Sequence, residues 1–178
     1  MGRSRYKFYE EQDPYFITST ILEELPLFSK PQITQILLDQ LVFLQQQRGV
    51  TLYGYVIMGN HFHAVVQGQE LSMKLRLAKS FTARQMLEVL VRNGHSRWLQ
   101  KLKWNKRSHK IYRTYQVWEE GLHPKHLTSM DMVCQKIEYI HFNPINAGFV
   151  DAPVDWRYSS ARNYMKLKGL IPVTLFNG

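Results

Sequence analysis

With 178 residues, 44% of them hydrophobic, the chain can bury one sizeable core and is short for two, so a single domain over 1–178 is expected. Its one cysteine, Cys134, excludes an intramolecular disulfide, and the uncharged stretch from 49 to 69 is broken by Gly59, Asn60, His61, His63 and Gln67, so it makes a poor membrane span. The net charge of +9 favours a polyanionic partner, and the N-terminus has no apolar leader, so a soluble cytoplasmic protein with no membrane partner is expected.

A basic arm, residues 1–12, opens the chain with Arg3, Arg5 and Lys7. Tyr15 to Leu22 is rich in β-branched and aromatic residues and reads as a strand. A helix follows, with Pro31 suited to its first turn, Ile33, Ile36, Leu37, Leu41 and Leu44 at helical spacing, and Gly49 suited to its stop. Leu52 to Ile57 and His61 to Val66 are two β-like runs joined by Met58-Gly59-Asn60, where Gly and Asn tolerate the positive φ of a tight turn; a hairpin is expected. Helical spacing resumes from Leu71 to Asn93, and Gly94 is placed to end it. Lys74, Arg76, Lys79 and Arg84 on this helix are either DNA-backbone contacts or a solvated face.

From 92 to 113 the chain carries Arg92, Arg97, Lys101, Lys103, Lys106, Arg107, Lys110 and Arg113 with no acidic residue, so nearly all the excess charge lies in this stretch. Trp98, Trp104 and Tyr112 are interleaved as flat faces on which unpaired bases could stack, a combination that suits single-stranded nucleic acid. Ile111 to Trp118 reads as a further strand. His123 and His126 flank Pro124 and read as loop residues with a structural role. Thr128 with Asp131 three residues on predicts a capped helix carrying Val133, Ile137 and Ile140 on one face and closed by Pro144, with Asn143 at its final turn. The tail, 155–178, is mixed, and Trp156 and Tyr158 are expected to pack back. The order of elements predicts an α+β sandwich with helices covering an antiparallel sheet.

Two features carry chemistry. In His61-Phe62-His63 alternate strand residues share a face, so both imidazoles point the same way while Phe62, Ala64 and Val66 enter the core; the pair can share a divalent cation or simply line a polar strand face. On the capped helix, Tyr139 and Asn143 are four apart and fall together on the flank of the apolar stripe, with Met132 and Lys136 on that flank and His141 nearly opposite. Asn143 offers an amide oxygen, a hard ligand for Mg²⁺ or Mn²⁺. Lys136 either favours the Tyr139 phenolate or is simply solvated.

Together these residues resemble the HUH single-tyrosine transposases, and most closely the REP-associated tyrosine transposases. Met58-Gly59-Asn60-His61-Phe62-His63 is similar to that family's Met-Pro-Asn-His-hydrophobic-His, with glycine replacing the usual proline. Tyr139-Ile140-His141-Phe142-Asn143-Pro144 with Ala147-Gly148 is similar to its Tyr-Ile-His-x-Asn-Pro signature, and Trp156-Arg157-Tyr158-Ser159-Ser160-Ala161 to its terminal motif; the resemblance spans 5 to 164. It implies a ferredoxin-like, RRM-related sandwich with helices on one face of the sheet. It further implies a Mg²⁺ or Mn²⁺ site at His61, His63 and Asn143, and Tyr139 as the nucleophile that cuts and rejoins single-stranded DNA near palindromic hairpins through a 5′-phosphotyrosine. Arg3, Arg5, Lys7 and the segment 92–113 (Arg97, Lys101, Lys103, Lys106, Arg107, Lys110, Arg113) would bind the hairpin, and the protein would act as a monomer or homodimer. Two other classes remain open: a non-catalytic nucleic-acid binder and a metal-dependent phosphodiester hydrolase, although no acidic residue lies near His61 or His63 in sequence.

Overall fold

The computed structural model describes residues 12–106, 112 and 114–176. Strands β1 (Tyr15–Thr20), β2 (Thr51–Ile57), β3 (His61–Gln67) and β4 (Lys125–His126) form one sheet in the order β2-β3-β1-β4, every neighbouring pair antiparallel. Helix α1 (Pro31–Arg48) joins β1 to β2, and α2 (Leu71–Arg92) with α3 (Ser96–Trp104) leads from β3 toward β4. This strand order with two helical crossovers is the ferredoxin-like arrangement that the element order predicts. Helix α4 (Met130–Asn146) and the single turn α5 (Ala161–Tyr164) follow.

Alternation along the strands divides the interior in two. Tyr15, Ile17, Phe62, Ala64 and Val66 face α1 and α2, meeting Ile33, Leu37, Leu41, Leu75, Met86 and Leu90. Phe16, Val56 and Val65 face the other way and meet Val133, Ile137 and Ile140 of α4. Helices therefore cover both faces, and the expectation of helices on one face holds only for α1 and α2. The reason lies in β1 to β3, which are apolar on both sides, so a second helical layer is needed to bury the outward set.

Several local expectations are corrected. The turn at 58–60 needs no positive φ, because neither Gly59 nor Asn60 adopts one; it is held by Met58 N–H to His61 O, while Gly59 O and Asn60 O accept from Phe28 and Ile21. Helix α4 is capped by Ser129 rather than Thr128: the Ser129 hydroxyl accepts from the Met132 amide, and the Thr128 hydroxyl lies against the Met132 sulfur. The helix also runs through Pro144 to Asn146, so proline removes one backbone donor without ending it. Residues 96 to 104, for which the sequence reading assigns no element, form helix α3. No strand spans 111–118 among the described residues; Trp118 makes an isolated bridge to Ile21, and the edge strand is the two-residue β4 instead. Gly49 and Gly94 take the left-handed conformation that stops α1 and α2, as their positions predict.

The tail packs back through the predicted residues. The Trp156 indole donates to Ile57 O, Tyr158 O accepts from Ile57 N–H, and Ser159 bridges Val56, so residues 156–160 run along the free edge of β2. Gly54 is where this segment and α4 approach most closely: a β-carbon there would stand 3.3 Å from Ser160 Oγ and 3.7 Å from Ile137.

Candidate active site

β3 turns His61 and His63 to the face covered by α4, as alternation predicts, with ring centroids 4.8 Å apart. Each imidazole is oriented through its Nδ1: His61 Nδ1 lies 2.6 Å from Asn60 Oδ1, and His63 Nδ1 lies 2.8 Å from Thr18 Oγ1 on the neighbouring β1. The amide oxygen of Asn60 can only accept, so His61 carries its proton on Nδ1 and presents the Nε2 lone pair. The Thr18 hydroxyl can accept the same way from His63. Both rings are held neutral: burial lowers the pKa of His61 against an opposing pull from Glu24, and burial, then the charges of His61 and Lys136, push His63 down to about 3. A pair of neutral, pre-oriented imidazoles with free Nε2 atoms has the donor chemistry of a divalent metal site.

Tyr139 stands over this pair. Its ring packs edge-on against His63 at 5.5 Å and against Phe16 at 5.8 Å, yet it remains 41% exposed, so the side chain is positioned by its neighbours and open to solvent. Lys136, one turn earlier, is not a solvated lysine: Nζ lies 4.8 Å above the Phe16 ring and 4.9 Å above the Tyr139 ring, and burial and Lys125 hold its ammonium below the usual range. Asn143 is half-buried one turn beyond Tyr139. Among the described residues no three His, Cys, Asp or Glu side chains cluster; the charge of Glu24 acts on His61 across a sequence distance that hid it.

His141 lies outside the site, as the helical wheel predicts. It is buried, its Nε2 is 2.9 Å from Ser160 Oγ, its ring packs on Tyr164, and desolvation lowers its pKa to about 4. Ser160 Oγ also accepts from Tyr55 N–H at 3.0 Å, so one hydroxyl ties α4, β2 and the tail together. Sequence reasoning did not single out Thr18, Phe16, Asn60 or Ser160 as supports of the site. Thr18 was open to detection, because alternation along β1 sets it on the face of Phe16.

The basic segment resolves into α3, whose Leu102 is buried with Trp98 and Leu99 packed beside it. Arg97, Lys101 and Trp104 recur at i, i+4 and i+7 on the opposite, exposed side, with Lys103 on its flank. Trp104 is 83% and Tyr112 95% exposed, whereas Trp98 is committed, stacked on His95 with Lys30 above it. Helix α3 touches the turn Leu22–Glu24, which reaches the histidine hairpin through Ile21 N–H to Asn60 O. Lys106 is half-buried. Arg3, Arg5, Lys7, Arg107, Lys110 and Arg113 lie outside the described residues. His126 pairs with Asp13 at 2.6 Å and stacks on Tyr15, a structural role as predicted, although it sits in β4 rather than a loop. No described helix is long and apolar enough to cross a membrane.

The fold is α+β, a four-stranded antiparallel sheet of ferredoxin-like order with an added helix bearing Tyr139 across its open face. The chain superposes over its whole length on a REP-associated tyrosine transposase solved bound to a REP hairpin, covering 93% of that chain with a TM-score of 0.68 at 16% identity. A protein designated a transposase in Deinococcus radiodurans R1 is a more distant match, with a TM-score of 0.41 and 16% identity over 79% of this chain and 98% of that one. No protein-family model and no curated protein matches the chain.

Proposed function

We propose that this protein is a single-stranded DNA endonuclease and transesterase of the transposase type, acting near hairpins with Tyr139 as nucleophile. The observation that carries this reading is the juxtaposition of an exposed tyrosine with two neutral, pre-oriented histidines: Tyr139 and His63 pack at 5.5 Å. The shared fold with a transposase that binds hairpin DNA supports the substrate class. So does the exposed Arg97, Lys101 and Trp104 side of α3, which combines phosphate-binding cations with a stacking platform at the histidine end of the sheet.

His61, His63 and Asn143 would hold Mg²⁺ or Mn²⁺, which when bound supplies charge neutralisation at the scissile phosphate and a better 3′ leaving group. The chain's own residues do the rest. Thr18 and Asn60 fix the ring orientations of His63 and His61. Phe16 and His63 hold the Tyr139 ring from two sides, leaving its hydroxyl end free to approach a phosphate in line. A phenol ionises only near pH ~10, so the attacking oxygen must shed its proton as the O–P bond forms; Lys136 Nζ, 4.9 Å above the Tyr139 ring, places a cation beside the reacting side chain. Attack forms the O–P bond of a 5′-phosphotyrosine and releases a 3′-OH. Because the diester is exchanged rather than hydrolysed, a 3′-OH can reverse the step without ATP.

End chemistry separates this reading from its rivals. Hairpin oligonucleotides taken from inverted repeats beside the gene, labelled at either end and incubated with the protein and Mn²⁺, should yield a free 3′-OH fragment and a 5′ fragment end blocked by protein. Two free ends would mark a hydrolase, and intact strands that still shift in a gel would mark a binder.

A further inference from the structure

The outer side of the α1–α2 layer carries an exposed apolar stripe that nothing among the described residues covers. Met73, Leu77 and Phe81 recur every four residues along α2, Leu77 being 57% exposed, and Phe43 of α1 stands beside them over a groove of about 730 Å³. Apolar side chains grouped this way on a soluble surface mark contact with another molecule. The groove also holds Asp39 and Glu70 among its basic residues, which argues against a phosphate backbone as the occupant.

The order of residues along α2 points to a copy of itself. In an antiparallel pairing about Leu77, residues equally spaced before and after it face one another. Leu77 then meets Leu77, Met73 meets Phe81, and Glu70 meets Arg84. The last pair matters most, since neither Glu70 nor Arg84 has a salt-bridge partner among the described residues and both are exposed. Side chains four apart form the ridge that interdigitates with an identical ridge at about −50°, the commonest helix-packing class.

We propose that the outer face of α1 and α2 is a two-fold interface with a second copy of this chain, α2 packing antiparallel on its mate about Leu77. The stripe from Glu70 to Arg84 is about 21 Å long. Even with α1 alongside, a stripe of this length falls short of a standard interface of about 800 Å² per partner, so the dimer is weak and reversible. The two Tyr139 sites lie on the far side of each sheet, so the subunits stand back to back, each with a complete site.

Sedimentation velocity of the full chain, from about 1 to about 200 μM, tests this. A monomer–dimer equilibrium should appear, and Leu77→Lys should weaken it at least about tenfold while leaving circular dichroism and thermal midpoint unchanged, because the side chain is exposed. Glu70→Arg alone should weaken association, and Glu70→Arg with Arg84→Glu should restore it. A monomer throughout the range, or a dimer indifferent to Leu77→Lys, overturns the interface; failure of the double exchange to restore association overturns the antiparallel pairing.

Discussion

Ser160→Ala removes a single oxygen, and the structure says what that oxygen does. Ser160 is fully buried, and its hydroxyl accepts from Tyr55 N–H at 3.0 Å while lying 2.9 Å from His141 Nε2 and 3.3 Å from Tyr55 O. Alanine fits the same space but leaves one backbone N–H and one imidazole nitrogen without partners in a site too enclosed for easy hydration. A buried polar group stripped of its partner costs about 1–3 kcal/mol, so the two together should cost about 2–6 kcal/mol, a large fraction of the stability of a domain this size. Urea denaturation followed by tryptophan fluorescence would measure it. His141→Phe should forfeit part of the same energy, so the double variant should fall short of additivity by about 1 kcal/mol or more. A loss below about 1 kcal/mol for Ser160→Ala, or strict additivity with His141→Phe, would refute the view that this hydroxyl locks α4 to the sheet.

Thr18→Val keeps volume but frees His63 Nδ1, and should weaken Mn²⁺ binding about 10- to 100-fold by titration calorimetry without altering the fold. His141 titrates at about 4 in the folded protein against 6.5 when unfolded, so its contribution is fully present above pH 6.5 and is lost as pH falls toward 4; over that window stability from urea denaturation should drop by about 3 kcal/mol more in the wild type than in His141→Phe, the drop common to both including the share of His61 and His63. Lys101→Ala should lower the salt dependence of single-strand binding by about one phosphate contact, whereas Trp104→Ala should cost about 1–3 kcal/mol of affinity with the slope unchanged, both readable from fluorescence anisotropy across a salt series.

Much of the site was legible before any coordinates. Strand alternation alone set His61 and His63 on one face, and the helical wheel separated Tyr139 and Asn143 from His141, because both patterns depend only on local geometry. The supports of the site were not legible in this way. Thr18 meets His63 across a strand pairing, and Phe16 meets Tyr139 where α4 packs on β1, and sequence spacing specifies neither register. The surroundings of Lys136 stayed open in the sequence because its two aromatic neighbours come together only once α4 crosses β1. Helix α3 was hidden by its charge: only Trp98, Leu99 and Leu102 face inward, too short a stripe to stand out among cations. The continuation of α4 through Pro144 likewise overrides a local rule, since packing on the sheet outweighs one missing backbone bond.

The central claim is that Tyr139 becomes covalently joined to DNA, and mass spectrometry of the trapped complex tests it most directly. After incubation with hairpin DNA and Mn²⁺, denaturation and digestion with nuclease and trypsin, the account predicts a nucleotide-bearing peptide whose modified residue is Tyr139, absent from Tyr139→Phe. An adduct on another residue, or strand cleavage that persists undiminished in Tyr139→Phe, would contradict it.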